Sequence, residues 1–273
     1  MYYFDKLILF CYSLNIFNKF INIYIGGYMR GKTHCTIGIL AVIQASLLFK
    51  VPLSLFNIIL STIFSLLPDL DESNSTVSEF FLGKKVSKFI YKILIYSINI
   101  IIFFVSLKIN DNFYLSSIIT FASIIIIESK LTHTILRKLF LSLVFILLSL
   151  CLYFIGAKIY FIIFTIMISA FPWLKHRSFS HSVFATVIIF FLLKQIELIT
   201  NISNLSFFAT ISYASHIFLG DLFTRQGVPL FYPLSTKKIS LGFLKVGSKL
   251  SNTLEIIFIC TLFAFVILSV IKI

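Results

Sequence analysis

Residues 139–155 read LFLSLVFILLSLCLYFI, seventeen residues without a charge. The run is too uniformly apolar for a half-buried surface helix. It does not alternate as a strand of a transmembrane barrel does. It reads as a helix in lipid. Eight further runs of this kind lie at about 35–49, 51–67, 89–107, 113–128, 159–173, 182–199, 204–223 and 254–271. Several fall short of the ~20 residues that cross a bilayer. The first two are joined only by Lys50-Val51-Pro52, which predicts a tight or partly re-entrant hairpin. The expected architecture is all-α: a polytopic helical membrane protein of nine apolar helices.

Composition agrees. The 273 residues are 59% hydrophobic and 12% charged, whereas a soluble domain has about 45–50% and about 25%. The formal net charge of +13 does not point to nucleic acid, because no binding motif accompanies it. In this setting the lysines serve as topology signals and as contacts for membrane lipids. Cys11, Cys35, Cys151 and Cys260 are scattered through apolar runs without CxxC spacing, so they read as small hydrophobes. Residues 1–28 are apolar but interrupted by Asn15, Asn18, Lys19 and Asn22, and they lack a small-residue cleavage site. Gly26-Gly27-Tyr28-Met29 can be encoded as a ribosome-binding sequence followed by a start codon. The single domain is therefore expected over 29–273, with 1–28 an extension that need not be translated.

Against this background the histidines stand out. His34 follows Thr33 at the start of the first run, and Pro68-Asp69-Leu70-Asp71 closes the second. His176-Arg177-Ser178-Phe179-Ser180-His181-Ser182 opens the seventh, and Ser215-His216 with Asp221 closes the eighth. Two crossings separate the first two motifs and four separate Asp71 from His176, so all four fall at one membrane face. Fifteen Lys and Arg side chains lie on that side and five on the other, leaving out Lys6, Lys19 and Lys92. The positive-inside rule makes the motif face cytoplasmic.

Ionisable groups in apolar surroundings are costly unless they bind a metal, a proton or one another. Histidine nitrogen with carboxylate oxygen suits zinc, and also manganese or iron. His34, Asp69, His176, His181, His216 and Asp221 are the candidate ligands. That is more than one structural ion requires and allows one or two divalent ions. Asp71 is the candidate orienter or base, and Arg177 the candidate partner of a negatively charged phosphoryl oxygen. His133 has no acidic partner nearby except Glu128 and reads as interfacial. One spacing is awkward: five residues turn a regular helix by about 500°, which leaves the side chains about 140° apart. Between His216 and Asp221 a π-bulge or a helix end, with Gly220 as the break, would resolve it. For His176 and His181 a loop entering the helix near Ser180 suffices.

Taken together, these motifs and the continuation Gly227-Val228-Pro229-Leu230-Phe231-Tyr232-Pro233 resemble the YdjM-type membrane-bound metal-dependent hydrolases. The resemblance covers 29 to about 260. The chain departs from the pattern at Ser178-Phe179-Ser180, where a Gly-x-Thr segment is usual, and in the spacing of His216 and Asp221. Glu255 after Gly247-Ser248 matches a weaker feature. By resemblance the site is similar to those of zinc-dependent phospholipase C and related zinc nucleases, which implies hydrolysis of a phosphoester or phospholipid-like substrate. A divalent-cation transporter or sensor, and a membrane protein with a merely structural metal, are the competing classes. A transporter should spread its ligands toward the bilayer midplane and show inverted repeats; neither is visible here.

Overall fold

A computed structural model describes residues 30–73, 75–242 and 248–272. The expectation for residues 1–28 lies outside them. The fold is all-helical. In chain order the α-helices are α1 (Arg30–Phe49), α2 (Leu55–Leu66), α3 (Thr76–Phe81), α4 (Lys84–Asn110), α5 (Phe113–Lys130), α6 (His133–Phe154), α7 (Ile159–Ala170), α8 (Val183–Thr200), α9 (Leu205–Ser215) and α10 (Lys249–Lys272). The expectation of nine apolar helices is corrected in two ways. A short tenth helix, α3, sits in the loop expected over 68–88, started by Ser75, whose hydroxyl accepts from the Ser78 amide. Among the described residues, five stretches are long and apolar enough to cross a membrane: Lys84–Asn110, Phe113–Lys130, His133–Phe154, Val183–Thr200 and Asn252–Ile271.

The short helices position the site. α2 and α7 have 12 residues each and α9 has 11; at 1.5 Å per residue each is about 17–18 Å long, little more than half a bilayer core. Each ends in irregular turns: 3-10 turns over Leu67–Asp71 and Phe171–Trp173, and a π-turn over His216–Gly220 followed by a 3-10 turn over Asp221–Phe223. Such backbone is tolerated at membrane depth only where protein surrounds it. Here it is surrounded: Leu70, Phe171 and Ile217 are buried in one core with Phe64, Leu141, Ile189 and Tyr213.

Three of these helices approach one another through small side chains. A Cβ on Gly38 of α1 would lie 2.6 Å from Ser65 Cβ of α2 and 2.9 Å from Ser212 Oγ of α9. Helices in lipid pack by such close backbone approach, since apolar burial gives no preference for protein over acyl chains. A second core joins α1 to α10 through Leu40, Ile43, Ile259, Phe263 and Val266. α4 and α5 form a hairpin that buries little, with Asn99 and Ser123 hydrogen-bonded between them. The described cysteines, Cys35, Cys151 and Cys260, are free.

The polar segment after α9 folds back on the bundle. Gly227 takes φ +59, the left-handed region that favours glycine, and Val228 and Ile239 exchange both backbone hydrogen bonds at 2.9 Å. The Leu241 amide donates to the Leu222 carbonyl at 2.8 Å. This loop forms one wall of the cavity described below.

Candidate metal centre

Three tight turns and the start of α1 bring the four motifs together. Asp69 and Asp71 come from the turn after α2, His181 from a 3-10 turn over Phe179–His181, and His216 and Asp221 from the end of α9. The π-turn resolves the five-residue spacing: its extra residue per turn brings Asp221 round toward His216. The seventh run begins as a loop, and Ser182 caps α8 by accepting from the Ala185 amide.

Four donor atoms converge. His181 Nε2 lies 3.0 Å from Asp221 Oδ2 and 3.9 Å from Asp69 Oδ1; His216 Nε2 lies 3.5 Å from each of the same two oxygens. Donors around a tetrahedral ion at about 2.0–2.1 Å are separated by about 3.3–3.4 Å, close to these spacings. Buried polar atoms are almost always hydrogen-bonded, yet His181 Nε2, His216 Nε2 and Asp221 Oδ2 have no hydrogen-bond partner. At 3.0 Å the His181–Asp221 pair is near enough for a hydrogen bond but not aligned as one. Atoms that face a common point without bonding each other fit a cation between them.

The outer nitrogens are accounted for. His216 Nδ1 is 2.7 Å from the Ser65 carbonyl, which can only accept, so Nδ1 carries the proton and Nε2 the lone pair. Asp71 does the same for His176 directly and for His181 through Ser180. Its Oδ1 is 2.7 Å from His176 Nδ1; His181 Nδ1 donates to Ser180 Oγ at 2.9 Å and lies 3.3 Å from Asp71 Oδ2. Oδ2 also accepts from Ser180 Oγ at 2.6 Å and from the Arg177 amide at 3.1 Å. Burial alone would raise the Asp71 carboxyl, but His176 and His181 outweigh it and hold it below the usual carboxylate range. Burial would lower His181, but the Asp221 and Asp71 carboxylates outweigh it and push the ring up to about 9. Without a cation, protons take its place.

His34 stacks on His216 with ring centroids 3.9 Å apart, and its Nε2 is 4.0 Å from Asp221 Oδ1. Gly220 makes room for it: a Cβ there would lie 2.4 Å from His34 Cε1. Donor atoms of His34, His216 and Asp221 fall within 4.8 Å of one another, as do those of Asp69, His176 and His181. The six candidate ligands thus form two adjacent trios. His176 is the outermost, with its side chain 37% exposed and Nε2 3.8 Å from Glu72 Oε2.

Arg177 sits behind the cluster. At φ +56 its amide turns toward Asp71, its guanidinium donates to Asp221 Oδ1, and a second donor reaches Thr224 Oγ1 at 2.7 Å. It therefore fixes Asp221, a task its place beside His176 in the sequence does not reveal. The roles of Glu72 and Thr224 are not legible in the sequence, because they depend on contacts with residues about fifty to a hundred positions away. His133 starts α6 and belongs to neither trio. Glu255 accepts from Thr33 Oγ1 at 3.2 Å.

A cavity of about 480 Å³ opens beside the cluster, lined by His34, Asp69, Glu72, His176, Arg177 and Asp221 at one end. Asp71 does not line it. Of its two candidate roles, orienter and base, the geometry matches the first.

No curated protein and no solved structure matches the chain. The model of the YdjM inner membrane protein family matches residues 29–272, nearly the whole length that carries these helices and motifs, and the chain belongs to that family.

Proposed function

We propose that the protein is a membrane-embedded hydrolase that uses a divalent metal, zinc by the chemistry of its donors, to cleave a phosphoester at the cytoplasmic face. One observation carries the reading. Asp69, His181, His216 and Asp221 present donor atoms at tetrahedral-edge spacings, and three of the four have no hydrogen-bond partner. His34 and His176, one from each adjacent trio, are the donors left outside this set of four. When bound, the metal supplies Lewis-acid polarisation of a phosphoryl oxygen and of water.

The chain's own residues do the rest. Asp71 and the Ser65 carbonyl keep protons on the outer ring nitrogens, so the inner lone pairs are ready to coordinate. Arg177 holds Asp221 with one terminal nitrogen and Thr224 with the other, and its Nε, which has no hydrogen-bond partner, is the donor left for a phosphoryl oxygen. Glu72 lines the cavity with a third of its side chain exposed, and is the carboxylate placed to take a proton from water. The cytoplasmic orientation rests on the cation asymmetry of fifteen against five.

The test is metal analysis of purified protein with a phosphoester panel, run with and without chelator. His181→Ala and Asp69→Ala should each lose metal and hydrolysis, and His133→Ala should keep both. Full metal content in His181→Ala would require the ligand set to be redrawn.

A further inference from the structure

Away from the metal cluster, cations gather at the joint between α4 and α6. Two contacts make this joint. Tyr91 Oη donates to the Leu131 carbonyl at 2.8 Å, and the buried Arg137 donates to Glu79 Oε2 at 3.0 Å. The first contact sets Tyr91 level with the end of α5. From Lys84 to Tyr91 the helix rises about 10 Å, so the first two turns of α4 stand clear of α5. Lys84 and Lys88 lie one turn apart there, and His133 and Arg137 lie one turn apart on α6. Lys88, Lys84 and Arg137 are all near enough to act electrostatically on the His133 ring. None of these side chains lines the cavity beside the metal cluster.

The charges at the joint are not balanced. Residues 79–92 and 128–138 carry seven Lys and Arg against two carboxylates, Glu79 and Glu128. Both Glu79 oxygens are taken, one by Arg137 and the other by the Lys84 amide at 2.9 Å. Glu128 acts on Tyr91. Helix α6 also starts at this spot, so the positive end of its dipole adds to the lysines. Lys84 and Lys88 repel each other at their spacing, and their neighbours on α6 are a ring and a guanidinium, not acids. A lone lysine at a membrane surface is an ordinary topology signal. A convergence of this kind on two helices fits a single anion between them.

The surroundings decide what kind of anion. On the same two turns Val86, Phe89 and Ile90 are exposed, Phe89 by 64%. They are interleaved with Lys84, Lys85 and Lys88, which are exposed too. Such a mixture suits a helix leaving the acyl chains for the headgroup layer, where lysine stems lie on apolar surface and the ammonium groups reach outward. A soluble anion meets only the lysines, whereas an anionic lipid meets both sets. We infer that the α4–α6 joint binds one anionic lipid, its phosphate between Lys84, Lys88 and His133 and its chain along Phe89. The lipid is a resident of the joint and not a substrate, so the inference is independent of the metal and of hydrolysis. Its effect is mechanical: it ties the α4–α5 hairpin, which buries little of itself, to the bundle at α6.

The test is native mass spectrometry of the full chain released from phosphatidylcholine nanodiscs that contain phosphatidylglycerol as a minor lipid. The wild type should retain one phosphatidylglycerol. Each lysine beside an anionic headgroup contributes about fivefold in affinity, so Lys84→Gln/Lys88→Gln should bind it about thirtyfold more weakly. His133→Glu puts a carboxylate where the phosphate lies and should lose it. Lys237→Gln/Lys238→Gln removes the same charge from another exposed pair and should retain it. In hydrogen exchange, phosphatidylglycerol should slow the amides of residues 84–91 relative to phosphatidylcholine alone, and added inorganic phosphate should not. Melting in phosphatidylcholine alone checks that each variant folds; should the lysine variant fail, His133→Glu decides. The inference is overturned if phosphatidylcholine is retained as well as phosphatidylglycerol, or if neither site variant weakens retention. It is equally overturned if Lys237→Gln/Lys238→Gln loses as much, which would mean diffuse attraction to net charge. Equal protection by inorganic phosphate would make this a site for a soluble anion and sink the lipid.

Discussion

Asp71→Asn changes one atom of a side chain that is fully buried and touches no solvent. Its effect follows from what the two oxygens do. Oδ1 faces His176 Nδ1 at 2.7 Å; Oδ2 faces Ser180 Oγ, the Arg177 amide and His181 Nδ1. All of these groups can donate. An amide has one oxygen and one NH2, so whichever way it turns, an N–H points at a donor. If NH2 faces His176, that ring must flip its tautomer and lose its inner lone pair. If NH2 faces the other side, the buried Arg177 amide loses its acceptor, which costs about 1–3 kcal/mol, and His181 loses its carboxylate. Loss of such outer partners typically weakens metal binding about 10–100-fold, or about 1.4–2.7 kcal/mol. The assay is competition for zinc against a chromophoric chelator in detergent, with Glu79→Gln, at the ion pair to the buried Arg137, as a control outside the cluster. Wild-type zinc affinity in Asp71→Asn would refute the reasoning, because it would mean that the rings are held by something else.

Four further outcomes follow. Arg177→Lys should retain metal but hydrolyse slowly, since a single ammonium cannot hold Asp221 and Thr224 in a fixed fork; metal analysis beside turnover numbers checks it. Gly220→Ala should displace the His34 ring, costing about 1–3 kcal/mol as overpacking, and thermal melts with metal titrations should show both the loss of stability and weaker binding. In metal-free protein His181 is raised from its ordinary value to about 9, so its stabilising contribution is complete below pH 6.5 and lost as pH rises through 9. Chelated protein should therefore melt lower on the alkaline side, a trend that His181→Ala reduces but does not remove, because Asp69 and Asp221 outweigh burial and hold His216 at about 10, while zinc affinity should rise over the same range as the competing proton leaves. For topology, a cysteine placed at the exposed Thr236 in a cysteine-free background should resist an impermeant reagent in intact cells. One at the exposed Lys158 should react; the reverse pattern inverts the orientation.

The sequence by itself determined the class of the protein and the location of its chemistry. Runs such as 139–155 leave no alternative to helices in lipid, because nothing but an internally hydrogen-bonded helix or a closed barrel satisfies its backbone there. The expense of ionisable groups in such surroundings singled out His34, Asp69, Asp71, His176, His181, His216 and Asp221, and the five-residue spacing already demanded a break near Gly220. Helix number was less legible. Hydropathy merges a short helix with the irregular turn that follows it, as in 204–223, where α9 ends at Ser215 and two tight turns complete the run. Tertiary structure alone decided how the groups divide their work. That Asp71 steers two histidines about a hundred residues away, that Arg177 is committed to Asp221, and that Gly220 is small because His34 packs on it are consequences of helix ends meeting in space. The cavity that joins this cluster to α10 is likewise invisible in the chain, because its two walls, Ile37 and Thr261, are more than two hundred residues apart and become neighbours only when α10 docks on α1.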